Sequence, residues 1–278
     1  MNITMKRKIL SLLFSALFFS SSFAQEIIPK PSGSVATAGI LSIGELDFLH
    51  SVNPSMNTYA KGFNLSVGYT LPYHLDDFQQ IVAKGAYAFP WVTLHVNVNK
   101  CGGSESNFTI VGGGLSKLFG IFGIGMEYNA IMHQLPFNET TVSSFSRVGF
   151  HINPNDKWTL SVAVHNIENR QLDYEYDSFD IEPHLFAGIR WGGNDIFSLI
   201  GEVEKGWNHK PVYKASALIT PCKRLSTSVG FSTLGHSLSA GVGYVGKMLL
   251  LHVGISHHEQ LGVTSSASIA IHNLFNNK

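Results

Sequence analysis

Thirteen histidines are the residues of this 278-residue chain best suited to chemistry, as metal ligands or as general bases. His257 and His258 stand side by side, but neighbours on a strand point to opposite faces, so the pair cannot ligate one metal without a loop. The paired His, Cys or carboxylate spacings of known metal sites are lacking, and neither a metal nor a cofactor is expected. A hydrolase would need a nucleophile and a base within hydrogen-bond reach. His165, Ser161 and Glu127 can share one face of the sheet; whether they meet is left open by the sequence. Two cysteines, Cys101 and Cys222, invite a disulfide in an exported chain. The strand assignment below puts them at opposite membrane faces, so they are expected to be unpaired. Gly112 and Gly113 lack the strand-to-helix setting of a nucleotide site and are read as easing strand packing.

The second set of candidates consists of polar residues lying opposite apolar ones. Glu127, Asn129, Arg147, His151, His165, Arg190, Glu202, Glu204 and Lys214 all alternate with large apolar neighbours. The expected role of the charged members is structural, with opposite signs pairing across neighbouring strands on an inner face. A translocation pathway is the competing reading.

What must position these side chains is a set of strands, because from about residue 61 the dominant pattern has period two. In residues 91–99, Val92, Leu94, Val96 and Val98 alternate with Thr93, His95, Asn97 and Asn99. In residues 121–133, Phe122, Ile124, Met126, Tyr128, Ala130 and Met132 oppose Glu127, Asn129 and His133. Similar runs recur to residue 271, apart from a less regular one at 81–89 and a glycine-rich one at 108–115 whose faces are not assignable. The count is about fourteen strands of roughly ten residues, an even number suited to a closed antiparallel membrane barrel. Short turns at 89–90, 153–156, 192–195, 220–223 and 245–247 alternate with longer connections at 72–80, 99–106, 134–141 and 167–181, as expected for periplasmic turns and outer loops. Trp91, Trp158, Trp191, Tyr69 and Tyr244 fall near strand ends, where aromatic side chains favour the bilayer interface.

The remaining segments complete the organisation. Lys6, Arg7 and Lys8 precede an apolar run at 9–19 and the small-residue stretch at 22–24, the pattern of a cleaved signal peptide over residues 1–24. Without those cations the balanced charge of the whole chain turns weakly acidic, and no basic stripe suggests nucleic acid. Charged residues are only 14% and hydrophobic ones 44%, yet no later run is long enough for a transmembrane helix. Residues 25–60 form an N-terminal plug or lead, 61–273 the transmembrane barrel, and 274–278 a short tail. The fold expected is all-β, an antiparallel transmembrane barrel in the outer membrane, surrounded by its lipid.

Residues 33–39, rich in Gly, Ser and Ala, followed by Asn53-Pro54-Ser55, are similar to the lead and the Asn-Pro-Ala motif of the FadL and PorV class of outer-membrane barrels, with Ser55 in place of the usual Ala. Glu202-Val203-Glu204-Lys205, Lys210-Pro211-Val212-Tyr213-Lys214 and residues 257–262 resemble further pieces common in PorV-like and PorQ-like proteins. The resemblance implies fourteen strands, a lead folded into the lumen, no enzymatic activity, and a hydrophobic solute or a secreted protein as partner. For a secreted protein, residues 173–180 would be the place of contact. An outer-membrane lipid hydrolase and a soluble periplasmic β-sandwich are the alternatives.

Overall fold

Alternating side chains can bury one face of a strand and expose the other, and in a bilayer such a sheet must close because hydrocarbon offers no partner to an open edge. The computed structural model describes residues 32–44, 51–135, 140–174, 178–194 and 196–272; the signal-peptide and C-terminal-tail expectations lie outside them. Fourteen antiparallel strands form a closed barrel: β1 (Phe63–Leu71), β2 (Gln80–Ala88), β3 (Thr93–Gly102), β4 (Asn107–Phe119), β5 (Phe122–Gln134), β6 (Thr140–Asn155), β7 (Trp158–His165), β10 (His184–Asn194), β11 (Phe197–Gly206), β12 (Val212–Cys222), β13 (Leu225–Ser232), β14 (Ser237–Val245), β15 (Leu249–His258) and β16 (Gly262–Ile271). Closure is made by β1 on β16, with Val67 opposite Ile269. Two short strands, β8 (Gln171–Asp173) and β9 (Ser178–Asp180), pair as a separate hairpin in the connection from β7 to β10.

Burial follows the pattern of period two. On β5 every second residue, from Gly123 to His133, is buried while Phe122, Met126 and Tyr128 are exposed. Val96, Val142, Val229, Val242 and Val253 are likewise exposed on the outer wall, forming an apolar exterior around a polar interior. Among the described residues no helix is long and apolar enough to cross a membrane; the strands cross. Small outward residues Gly201, Ala215 and Ala217 leave an apolar depression of about 680 Å³ between Trp191 and Val229.

Three details differ from the alternation pattern alone. β6 continues through Pro154, with its register shifting between Ile152 and Asn155, so the turn begins at Asp156, three residues later than its Asn-Pro composition suggests. The glycine-rich run belongs to β4, with Ile110 buried inward and Val111 exposed outward. The β8–β9 hairpin lies in a stretch read from the sequence as a loop, since three-residue strands are too short to show a period. Cys101 among the last residues of β3 and Cys222 at the end of β12 lie at opposite rims of the barrel and are both free.

Candidate functional site: a plugged lumen with an ion-pair belt

The chain before β1 lies inside the barrel. Of residues 32–44 and 51–60, nearly all are buried. A single helical turn, Ser32–Val35, leads into a reversal with positive φ at Ala38 and Gly39, and a 3-10 turn, Pro54–Tyr59, leads down to β1. Small side chains suit this position because two backbones must approach closely. A Cβ on Gly254 would sit 2.9 Å from that of Ala36, and one on Gly230 would sit 3.0 Å from that of Ala38.

The Asn53, Pro54 and Ser55 motif is the N-terminus of the second turn. The Asn53 side-chain oxygen accepts from the Ser55 amide at 3.0 Å and from its hydroxyl at 2.7 Å, an N-cap that satisfies donors a helix start leaves open. Pro54 occupies the first turn, where its missing N–H costs nothing. The Asn53 amide donates to the Phe150 carbonyl of β6. Ser55 also lies 3.0 Å from His151 Nδ1, a pairing that could suggest a nucleophile and its base. The Ser55 hydroxyl, however, is spent on Asn53, and Ser55 is 0% exposed, so no substrate reaches it.

A single register row carries five of the inner ionisable groups. His95 stands opposite Gly114, Gly114 opposite Glu127, Glu127 opposite Arg147, Arg147 opposite His165, and His165 opposite His184. Because Gly114 has no side chain, His95 passes over β4 and comes within 3.5 Å of Glu127. Arg147 donates to Glu127 and to His165 Nδ1, both at 2.9 Å. His184 lies 3.2 Å from Glu204, Glu204 lies 2.6 Å from Lys214, and Lys214 lies 3.0 Å from Glu202. One row along, Asn97 donates to Asn129 across Gly112, and Asn129 donates to Glu127.

The belt ends on the plug. Glu202 accepts from the Leu41 amide at 2.9 Å, the Ser42 amide at 2.6 Å and the Ser42 hydroxyl at 2.6 Å. Lys214 donates to the Gly39 carbonyl, and Lys84 to the Ser51 carbonyl at 2.8 Å. Among the described residues, the buried charges outside histidine are Lys84, Arg147 and Lys214 against Glu127, Glu202 and Glu204. Buried ions persist only when paired and hydrogen-bonded, and this balance leaves no net charge to select an ion. Apolar contacts add to the dock, with Leu41 and Val52 against Phe186 and Ala163.

Of the sequence candidates, Glu127, Asn129, Arg147, His151, His165, Glu202, Glu204 and Lys214 are buried on the inner wall; Arg190 is half-buried toward the C-terminal end of β10. Glu127 and His165 are joined through Arg147, and Ser161 lies two rows from them, opposite His151. Among the described residues no three His, Cys, Asp or Glu side chains form a group that could hold a metal. Sequence reasoning put His95 on the polar face of β3 without counting it among the site residues, and did not single out His184 or Lys84. The first two sit at inward parity on clearly alternating strands, which is the signal that could have found them; β2, which carries Lys84, alternates poorly.

The fold and its interior define a plugged fourteen-stranded outer-membrane β-barrel with the FadL-type architecture. Among solved structures it is similar to the CymD monoaromatic hydrocarbon channel, at 12% identity and a TM-score of 0.68 over 90% of this chain and 99% of that one. The toluene transporter TodX of P. putida aligns at 10% identity and a TM-score of 0.65, covering 89% and 99%. A FadL homologue of Pseudomonas aeruginosa aligns at 11% identity and 0.58, covering 90% and 100%. These three are channels or transporters or their homologue, none an enzyme. No family model matches the sequence. No curated protein matches it either.

Proposed function

We propose that this protein is a non-enzymatic outer-membrane barrel that carries a hydrophobic solute. The observation that supports this reading most is the interior: a charge-balanced lumen filled by a small-residue plug, with an apolar inner patch at its outer mouth where Ile110, Ile131 and Phe145 line the wall. A porin for ions would keep open water there; this lumen is instead filled, by Leu172 and Ile181 over that patch and by the plug within. The likeness to hydrocarbon channels adds to the reading at the level of fold. The reading includes export through a cleaved signal peptide ending at Ala24, a plug over residues 25–60 and a barrel over 61–273. It is tested by uptake of a radiolabelled hydrocarbon into Gram-negative cells expressing the chain. Accumulation above vector-only cells is expected, and equal accumulation with heat-modifiable barrel present in the outer membrane overturns it.

A second reading, a PorV-type factor serving protein export, has one observation in its favour. Leu75, Phe78, Ile167, Leu261 and above all Trp207, which is 79% exposed, put large apolar groups on the outer connections, where they suit a protein surface. Photo-crosslinking from position 207 on intact cells would yield one defined secreted protein under this reading and only lipopolysaccharide or nothing without it.

A further inference from the structure

The outward face of the wall is not uniform. From β7 to β14 two neighbouring register rows of outward residues run side by side. In one, Trp158 stands opposite Trp191, Trp191 opposite Leu199, Leu199 opposite Ala217, and Ala217 opposite Val229. In the next, Ile189, Gly201, Ala215, Phe231 and Leu238 follow in the same way. Gly201, Ala215 and Ala217 fall together among large neighbours, and the gap they leave is the depression of about 680 Å³, within the ~300–1,000 Å³ of small-molecule sites. Its aromatic side is fixed by its own packing: the Trp158 and Trp191 rings have centroids 6.4 Å apart, and Trp191 meets Phe197 edge-on at 6.4 Å.

The depression opens toward the rim of the short turns, and that rim is basic. Lys157, in the β6–β7 turn, directly precedes Trp158, and its carbonyl accepts from the Gly192 amide at 2.7 Å, beside Trp191. The two indoles therefore bracket it, and because Trp favours the level of the headgroups they set Lys157 where hydrocarbon gives way to polar groups. Lys223 and Arg224 form the turn between β12 and β13, the strands that carry Ala215, Ala217, Val229 and Phe231. Ile219 and Leu225, both exposed, continue the apolar surface from the depression to that turn. Lys61, Lys117 and Lys247 are exposed further round the same rim, where Asp156 is the one acid among the described residues. The opposite rim is mixed in sign, with exposed Asp76, Asp77, Glu105 and Glu259 beside Lys100 and Lys210.

We propose that this depression seats an acyl chain of an anionic glycerophospholipid whose phosphate is held at the short-turn rim by Lys157, Lys223 and Arg224. The proposal goes beyond the solute-carrying reading and holds whatever the lumen carries. Charge selects the occupant. Three cations at the mouth match a phosphate, and long Lys and Arg stems lie along apolar surface while their heads reach the interface. A second copy of this chain in the same depression would bring its own basic rim against this one, and like charges set face to face oppose association. An acyl chain has no polar atom to desolvate, and the depression offers it apolar side chains on every side. Each cation close to anionic headgroups strengthens binding about fivefold, so the three together give a preference of roughly a hundredfold over a zwitterionic lipid.

The test uses the full barrel in phosphatidylcholine nanodiscs with a trace of photoprobe, either phosphatidylglycerol or phosphatidylcholine carrying the same diazirine on its acyl chain, and adducts are located by mass spectrometry. The phosphatidylglycerol probe should label the segments containing Gly201 and Ala215 far more than the phosphatidylcholine probe does. On the facing wall, where Leu94, Leu115 and Met126 fill one row without a gap, the two probes should label alike. Ala215→Leu/Ala217→Leu, which fills the depression, should bring labelling there down to the level of the facing wall. Lys157→Gln/Lys223→Gln/Arg224→Gln should keep the depression and erase the preference between probes. Heat-modifiable migration checks that each variant is folded, and the comparison of probes on the wild type decides the matter without them. Even labelling round the wall, or equal labelling by both probes, overturns the proposal. So does displacement by added lipid A with none by unlabelled phosphatidylglycerol, which assigns the depression to the lipid of the other leaflet. A dimeric mass in the nanodisc that Ala215→Leu/Ala217→Leu reduces to a monomer overturns it in favour of a second copy.

Discussion

Replacing Glu202 by Ala should release the plug while leaving the barrel folded. One carboxylate oxygen takes three donors from the plug, and the other takes Lys214. Removal strands the Leu41 and Ser42 amides in a buried setting, and Lys214 keeps Glu204 at 2.6 Å, so the loss falls on the plug rather than on the wall. Breaking a buried ionic network by removing one partner costs ~3–5 kcal/mol. With tenfold per ~1.4 kcal/mol, the opening equilibrium of the plug rises by roughly two to three and a half orders of magnitude. The assay is hydrogen exchange on the barrel in nanodiscs, following peptides over residues 36–44 and, as an internal control, over β5. The plug peptide should lose protection by that factor with β5 unchanged. Glu202→Gln should fall between: it retains an oxygen for the plug but turns an amide N–H₂ toward the Lys214 ammonium, donor against donor. Unchanged protection of residues 36–44 in Glu202→Ala would refute the argument, as would equal loss across β5, which would mean the carboxylate supports the wall itself.

Gly149→Leu should loosen the Asn53 turn, because a Cβ there meets the Asn53 side-chain oxygen and lies 2.9 Å from Pro54 Cδ; overpacking of this kind costs ~1–3 kcal/mol. Proteolysis near residues 53–59 would report it, and Gly113→Ala, whose nearest contact is 3.5 Å away, should behave as wild type. The docking of residues 166–170 on β6 should weaken in acid. Partial burial alone would raise the Glu168 carboxyl, but hydrogen bonds from the Ser146 hydroxyl and amide outweigh it and hold the group below its ordinary range. A depressed folded-state pKa means the stabilisation is present above the unfolded value and disappears as pH falls through the folded one. Exchange of the Ser146 amide should therefore quicken in acid beyond its intrinsic pH dependence, and Glu168→Gln should abolish that excess; an unaltered profile in the variant would sink the assignment. Membrane-impermeant maleimide on intact cells should reach Cys101 and spare Cys222 until the outer membrane is permeabilised, and the reverse order would mean that the barrel sits the other way up in the membrane.

Much of the wall was legible in the linear chain because a strand has a period of two and a barrel has only two faces. Val96 and Met126 facing out, opposite His95 and Glu127 facing in, follow from counting alone, and so does the number of strands. β2, by contrast, carries Gly85, Ala83 and Ala86 where large side chains would mark a face, so its inner Lys84 was invisible. The β8–β9 hairpin has three residues in each strand, too few for any period to register.

What the sequence by itself determined is which side chains point inward, since parity is a local property of the backbone. Only the tertiary structure decided which of them meet. Glu127 reaches His95 across β4 because the register puts Gly114 between them, and Glu202 is a plug anchor only because a segment 160 residues earlier in the chain folds back to it. Register and plug docking are sums over distant pairs, set when the sheet closes, and no local pattern in the chain carries them.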